Sequence, residues 1–254
     1  MKFLVCLLGM QFSMYFPQVY AVRNFPVASS QSVQPPVFPA SSFSPVMQVF
    51  RNPGALADMQ HLAAGLYTER RFLLKELNVY SMALGIPLAA GVLGFKLWQL
   101  GYPLYREQLA GLGYALPLGS RLRAAVFLDY GTYGMDAELG LAWQLTKEAG
   151  LSLHLWGPGK RYGVYTAWVS YMPSAGLRLE GEWRKEAQWP VFMRVQCLYR
   201  PAGAIWLLAG FSAAPATQFA GAAFRAGRLQ IGVTGSYHSL LGITPGIMLV
   251  WEKE

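Results

Sequence analysis

The sequence has little cysteine and little charge. Two of its 254 residues are cysteine, Cys6 and Cys197, and charged residues make up 13%, about half the share usual in soluble domains. So few cysteines exclude a small secreted scaffold held by disulfides. The net charge of +8 comes from scattered Lys and Arg residues, with no basic run longer than Arg70-Arg71. This scatter argues against a nucleic-acid partner.

The sequence also lacks the short motifs that mark common enzyme and cofactor sites. It contains no Gly-x-Ser-x-Gly elbow and no Gly-x-Gly-x-x-Gly or Walker glycine loop. Neither His61 nor His154 has ligand-type residues at the spacing of a metal site. We therefore expect a non-enzymatic protein without catalytic, cofactor-binding or metal-binding residues, and without a cofactor.

The N-terminus has the pattern of an export signal. Lys2 precedes an apolar run, Phe3 to Phe16, and Ala21 ends a segment with small residues at the positions that precede a cleavage site. We expect a signal peptide over 1–21 and Sec-dependent export. Residues 22–45 are rich in Ser, Pro and Gln and predict an extended lead-in, because proline disfavours helices and ladder strands.

What the sequence has in abundance is apolar and aromatic residues in short alternating segments. Hydrophobic residues make up 54% and aromatic residues 14%. From about Leu62 onward, about fourteen segments of roughly 8–12 residues alternate apolar with polar or small residues, the period of a β-strand. Helices and closed barrels are the structures that can span a bilayer. The pattern predicts an all-β fold, a transmembrane antiparallel β-barrel of about fourteen strands over 46–254. Together with the export signal, such a barrel predicts a location in the outer membrane of a Gram-negative cell.

Residues 177–184 show the alternation best. Leu177, Leu179 and Trp183 would face lipid, while charged residues between them would face a lumen. Glu180 and Glu182 share that face, and flanking arginines favour structural ion pairs over a catalytic carboxylate pair. The predicted lumen charge ladder comprises Arg121, Arg123, Asp129, Glu138, Arg178, Glu180, Glu182, Arg184 and Arg194.

Many residues on the predicted lumen faces are small, such as Ala83, Gly85 and Gly140. Small residues indicate a narrow lumen, or one filled by another segment. Asn52, Pro53 and Gly54 form a turn that starts a short helix near 53–60, and we expect this helix to act as a plug. Aromatic residues near segment ends are typical of interfacial girdles; the candidates are Tyr130, Trp156, Tyr162, Trp189 and Trp251.

Two other folds remain open at this point. The apolar stretch from Leu84 to Leu97 resembles a transmembrane helix, although it contains Pro87, three glycines and Lys96. A secreted soluble β-sandwich would alternate equally well. The apolar content argues against a sandwich, because large exposed apolar patches are uncommon on soluble proteins.

Two stretches of the sequence combine turns, a short helix and strands in a recognisable order. The first, FRNPGALADMQ, carries the turn and short helix, and the early strands that follow it include Tyr114-Ala115. The second is the C-terminal hairpin, PATQFAGAAFRAGRLQIGVTGSYHSLLGITPGIMLVWE. In this hairpin, His238 precedes Leu241, Gly242 and Thr244. Both stretches resemble PorV/PorQ-type proteins of the FadL-like superfamily, and the resemblance implies that the histidine stabilises the hairpin turn.

The resemblance implies a fourteen-stranded outer-membrane barrel with one of two roles. One is an accessory or platform subunit, in an assembly like that of type IX secretion, with other envelope proteins as partners. The alternative is transport of a small apolar ligand across the outer membrane. We take the platform as the first expectation, because the segments between strands are short and the lumen faces are small. Membrane lipid is an expected partner in both.

Overall fold

The computed structural model describes residues 38–132, 134–158, 163–186, 189–213 and 215–253. The expected signal peptide and Tyr162 lie outside these ranges. Fourteen strands fill most of the described chain, and their bounds are β1 Ala63–Arg70, β2 Asn78–Leu88, β3 Gly91–Tyr102, β4 Tyr105–Leu118, β5 Leu122–Gly131, β6 Gly134–Gln144, β7 Ala149–Trp156, β8 Val164–Ser174, β9 Leu177–Glu186, β10 Phe192–Ala202, β11 Ile205–Ala213, β12 Thr217–Ala226, β13 Leu229–His238 and β14 Gly242–Glu252.

The strands form one closed antiparallel barrel. Each strand pairs with its neighbours in sequence, and β1 pairs with β14 to close the sheet, with Leu66 opposite Leu249. Closure leaves no free sheet edge, which a bilayer requires. The expected all-β barrel is confirmed, at fourteen strands.

Alternation along each strand separates an outer apolar face from the lumen. In β5, Val126 and Leu128 are more than half exposed, whereas Phe127 and Asp129 between them are buried. The stretch from Leu84 to Leu97 follows the same rule and forms most of the β2–β3 hairpin. Among the described residues, no helix is long and apolar enough to cross a membrane.

A plug lies against the lumen face of the barrel. It consists of three short 3-10 helices, Pro39–Phe43, Val46–Phe50 and Pro53–Asp58. The helix expected near 53–60 is therefore a 3-10 helix that ends at Asp58. The extended lead-in expected over 22–45 is wrong for its described part. Pro39 starts the first plug helix there, and that helix buries Ala40 and Phe43.

Glycines in the barrel wall make room for the plug. Gly54 of the plug lies against Gly140 of β6. A Cβ added to Gly140 would come within 2.4 Å of Asn52 Oδ1 and 2.6 Å of Gly54 N. Likewise, a Cβ on Gly65 of β1 would lie 2.3 Å from Met47 Sδ. The small residues on the lumen faces thus mark where a second layer of chain packs.

The two ends of the barrel differ. We call the end where β1 begins and β14 ends the terminal end. There, two to four residues join successive strands. At the opposite end, the loop end, the connections reach seven residues. The β1–β2 loop there contains two more 3-10 helices, Arg71–Leu73 and Lys75–Leu77. Within it, Phe72 and Leu73 have φ of 53° and 60°, a left-handed conformation that costs side-chain-bearing residues roughly 1–2 kcal/mol each.

Candidate functional site

A buried ion pair joins the plug to the barrel wall. Arg51 follows the second plug helix, and its Nη1 lies 2.5 Å from Glu180 Oε2 on β9. Glu180 also accepts hydrogen bonds from Arg178 Nε at 2.7 Å and from Gln196 Nε2 at 2.6 Å. The guanidinium of Arg51 lies over the Trp168 ring, 5.4 Å from its centroid. Three donors around one buried carboxylate offset its loss of hydration.

Neutral hydrogen bonds hold the plug at other points. Gln196 Nε2 donates to Ser42 Oγ at 2.8 Å, and Gln230 Nε2 donates to the Phe43 carbonyl at 3.2 Å. Asn52 Nδ2 donates to the Leu141 carbonyl of β6 at 2.8 Å, while its Oδ1 accepts from Gly54 N at 2.9 Å. The predicted plug turn of Asn52, Pro53 and Gly54 therefore caps the third plug helix and fastens it to the wall.

A second buried cluster spans β3 to β7. Lys96 Nζ lies 3.2 Å from Asp129 Oδ2 and also contacts Glu138 Oε2. Glu138 Oε1 contacts His154 Nε2 at 2.5 Å, and Trp156 Nε1 donates to Asp129 Oδ2 at 3.1 Å. All five side chains are buried. The prediction that Trp156 belongs to an interfacial girdle is wrong, because it follows His154 by two residues and so shares its lumen face.

A third group of charged side chains lies between β9 and β10. Arg194 Nη1 is 3.7 Å from Glu182 Oε2, and Arg184 Nε is 3.4 Å from Glu186 Oε1. Both guanidinium groups lie over the ring of Phe192, 4.7 Å from its centroid for Arg184 and 5.3 Å for Arg194. The aromatic face of Phe192 thus adds to the stabilisation of both cations.

Two residues of the predicted charge ladder lie near the terminal end. Arg123 is half-buried and forms an ion pair with Asp58 of the third plug helix. Arg121 is exposed in the turn between β4 and β5, so its assignment to the lumen is wrong. The predicted charge ladder does not include Lys96, Arg51, His154 or Gln196. Strand alternation alone puts His154 and Gln196 on the lumen face, but no local signal identifies their partners.

The C-terminal hairpin residues lie at the loop end. His238 Nδ1 accepts from the backbone N–H groups of Leu240 and Leu241, both at 3.2 Å. Gly242 has φ of 90°, where glycine avoids the steric cost of a Cβ. Thr244 Oγ1 accepts from Phe72 N of the β1–β2 loop at 3.0 Å. The histidine therefore caps its own turn, and the threonine contacts a neighbouring loop.

Two of the predicted girdle aromatics, Tyr130 and Trp251, lie near strand ends on the outer side of the sheet, and a third, Trp189, lies in the connection between β9 and β10. Tyr130 and Trp189 are exposed, and Trp251 is half-buried. The outer face also has an apolar groove of about 890 Å³ across β9 to β14, lined mostly by outward-facing residues such as Cys197, Ala209 and Ala220. Gln196, which donates hydrogen bonds to Ser42 of the plug and to Glu180, also lines this groove.

The fold is shared with solved outer-membrane proteins. The CymD monoaromatic hydrocarbon channel has a TM-score of 0.60 and 12% identity, over 82% of this chain and 93% of that one. The toluene transporter TbuX of Ralstonia pickettii gives 0.58 and 9%, over 82% and 93%. The outer membrane protein Omp33 of Acinetobacter baumannii gives 0.55 and 8%, over 76% and 98%. These similarities establish an outer-membrane type of barrel.

No family model matches the sequence, and no curated protein matches it. The PorV/PorQ-type resemblance is therefore not confirmed. Channels and transporters stand among these structural neighbours, and enzymes do not.

Proposed function

We propose that this protein is an outer-membrane channel for small hydrophobic compounds, closed by its own plug. The observation that supports it most is the fourteen-stranded closed barrel with an N-terminal segment inside, in a fold shared with a hydrocarbon channel and a toluene transporter. The neighbours reverse the order of our two expected roles. Transport now stands ahead of the platform.

The barrel has the orientation features of an outer-membrane protein. In such barrels, short turns face the periplasm and longer loops face outward. The terminal end, with turns of two to four residues, is then periplasmic, and the loop end with its β1–β2 and β7–β8 connections faces outward. The apolar outer face between them contacts membrane lipid.

The polar contacts of the plug suit reversible release. Removing a partner from a buried charge is costly when it leaves that charge unpaired. If the plug withdraws, Glu180 keeps Arg178 and Gln196 as donors, so an open barrel retains a paired carboxylate. The freed Arg51 enters water, where its charge is hydrated. Passage would then follow the space left by the plug.

A platform role is the second candidate, and the filled lumen favours it. Residues from all three plug helices are buried against the wall, as suits a barrel that serves as a scaffold. The type IX secretion assembly gains no support from the structural neighbours and stays a prediction.

The test of transport is uptake of radiolabelled toluene by Gram-negative cells with an intact outer membrane, producing the wild type or Arg51→Ala. We expect uptake above that of vector-only cells, and a further rise with Arg51→Ala. Arg200→Ala is the matched control, because the Arg200 guanidinium binds the Gly203 carbonyl of its own turn and lies over the Trp206 ring, instead of contacting the plug as Arg51 does. If both variants and the wild type equal vector-only cells while folding normally, the transport proposal fails. Stoichiometric recovery of one envelope protein with the tagged barrel would then support the platform.

A further inference from the structure

At the loop end, the β1–β2 loop contacts the lumen face of β14 through Thr244. Its residues Phe72 and Leu73 are the non-glycine residues with positive φ in the described chain. Bulky side chains rarely adopt this conformation, and it persists where surrounding contacts impose it. The contacts of this loop therefore identify what holds it in place.

Two contacts hold Phe72 against the C-terminal hairpin. Its backbone N–H donates to Oγ1 of Thr244 at 3.0 Å, and Thr244 is buried on the lumen face of β14. Its ring meets the His238 ring edge to face, with centroids 6.1 Å apart. These contacts hold the loop to β13 and β14. They therefore cross the β1–β14 pairing that closes the barrel.

A chain of contacts runs from the same loop to the plug. Arg71 Nε lies 2.9 Å from Glu69 Oε1, and Tyr67 donates its hydroxyl to the other oxygen of that carboxylate, Glu69 Oε2, at 2.8 Å. The Tyr67 ring stacks on Phe38 at the start of the described plug, with centroids 4.2 Å apart and planes at 13°. Glu69 and Tyr67 are both buried.

We propose that the β1–β2 loop is a lid whose closure is coupled to the seating of the plug through Glu69 and Tyr67. When the lid lifts, Arg71 leaves the buried Glu69 carboxylate without its cation, and that carboxylate must turn toward water. The Tyr67 hydroxyl then loses its shorter hydrogen bond and keeps the longer one to Thr234 Oγ1, at 3.4 Å, so the ring on which Phe38 stacks is held less firmly. Two barriers at different depths would open together. The use of this coupling in admitting a compound rests on the proposed function, but the coupling itself does not.

Accessibility of a thiol in the plug tests the coupling. Ala40→Cys places the thiol at a position with 0% exposure, in a full-length chain that also carries Cys6→Ser and Cys197→Ser. A membrane-impermeant maleimide then reports plug loosening. Thr244→Val removes the acceptor of Phe72 N and should speed labelling about tenfold, the ratio that one hydrogen bond of typical strength provides. The control is Thr166→Val, a buried lumen-facing threonine of β8, which should leave the rate unchanged.

A second substitution tests whether the coupling between the loop and the plug passes through the Tyr67 hydroxyl. Tyr67→Phe removes the hydroxyl but keeps the ring, so Thr244→Val should no longer add to the rate in that background.

Unchanged labelling of Thr244→Val with a normal heat-dependent gel shift would overturn the proposal, as would an equal effect of Thr166→Val. If Thr244→Val does not fold, Leu73→Gly relieves the strain and should slow labelling; an equal or faster rate contradicts the coupling. No transported compound is used, so this result is independent of the toluene assay.

Discussion

Lys96 of β3 and Asp129 of β5 form an ion pair across the strand that separates them. The pairing aligns both with Gly111 of β4, and the absent side chain of that glycine lets Lys96 Nζ come within 3.2 Å of Asp129 Oδ2. A Cβ at this position would lie 2.2 Å from Asp129 Oδ1 and 2.6 Å from Lys96 Cε. A glycine on a third strand therefore permits a contact between two others.

Gly111→Ala should separate this pair. Both charges are buried, so the loss of contact is costly, and we expect the free energy of unfolding to fall by about 2–4 kcal/mol. Urea unfolding in lipid vesicles measures it. Gly235→Ala is the control, because a Cβ there meets nothing within 4 Å. Equal stability of the two variants would show that Lys96 and Asp129 do not depend on Gly111.

Gly140→Ala should act on the plug instead of the charged cluster. Its Cβ would collide with Asn52 Oδ1 and Gly54 N, and overpacking of this kind costs about 1–3 kcal/mol. Because the plug can move away, we expect the barrel to stay folded while the plug becomes accessible to protease. Limited proteolysis followed by mass spectrometry measures this. Protection equal to wild type would place the plug away from β6.

Glu180→Gln should destabilise the barrel more than Glu182→Gln. Glu180 accepts from Arg51, Arg178 and Gln196, and replacing its charge weakens charge-assisted bonds of about 1.5–3 kcal/mol each. Glu182 makes no hydrogen bond through either oxygen and pairs with Arg194 at 3.7 Å. Thermal unfolding on a gel compares the variants, and the reverse order would contradict the central role of Glu180.

Val126→Arg should show by its energetic cost how deep in the bilayer Val126 lies. Val126 is exposed in the middle of β5, and an arginine near the bilayer midplane costs about 2–4 kcal/mol. Leu118→Arg, at the last residue of β4, should cost about 0–1 kcal/mol because it lies near the interface. Free energies of folding into vesicles check both values. Equal costs would mean that the bilayer does not span β5 as assigned.

The sequence by itself determined the strands and their faces. Side-chain direction alternates with period two whatever the strand pairs with, so Glu180, Glu182 and Arg194 could be placed on one side from local pattern alone. The same pattern placed Trp156 beside His154, and its assignment to a girdle failed because nearness to a strand end was given more weight than alternation. The Asn-Pro-Gly turn likewise signalled a helix start through local backbone chemistry.

The tertiary structure alone decided which charges meet and how much of the chain fills the lumen. Lys96 reaches its partners through the register of β3 to β6, which no single segment contains. Arg51 contacts Glu180, which lies 129 positions further along the sequence, because closure of the barrel places β9 beside the plug. The Pro- and Ser-rich composition of residues 38–45 predicted extended chain, yet burial of Phe38, Ala40 and Phe43 against the wall stabilises a 3-10 helix there. Apolar burial outweighed the local preference.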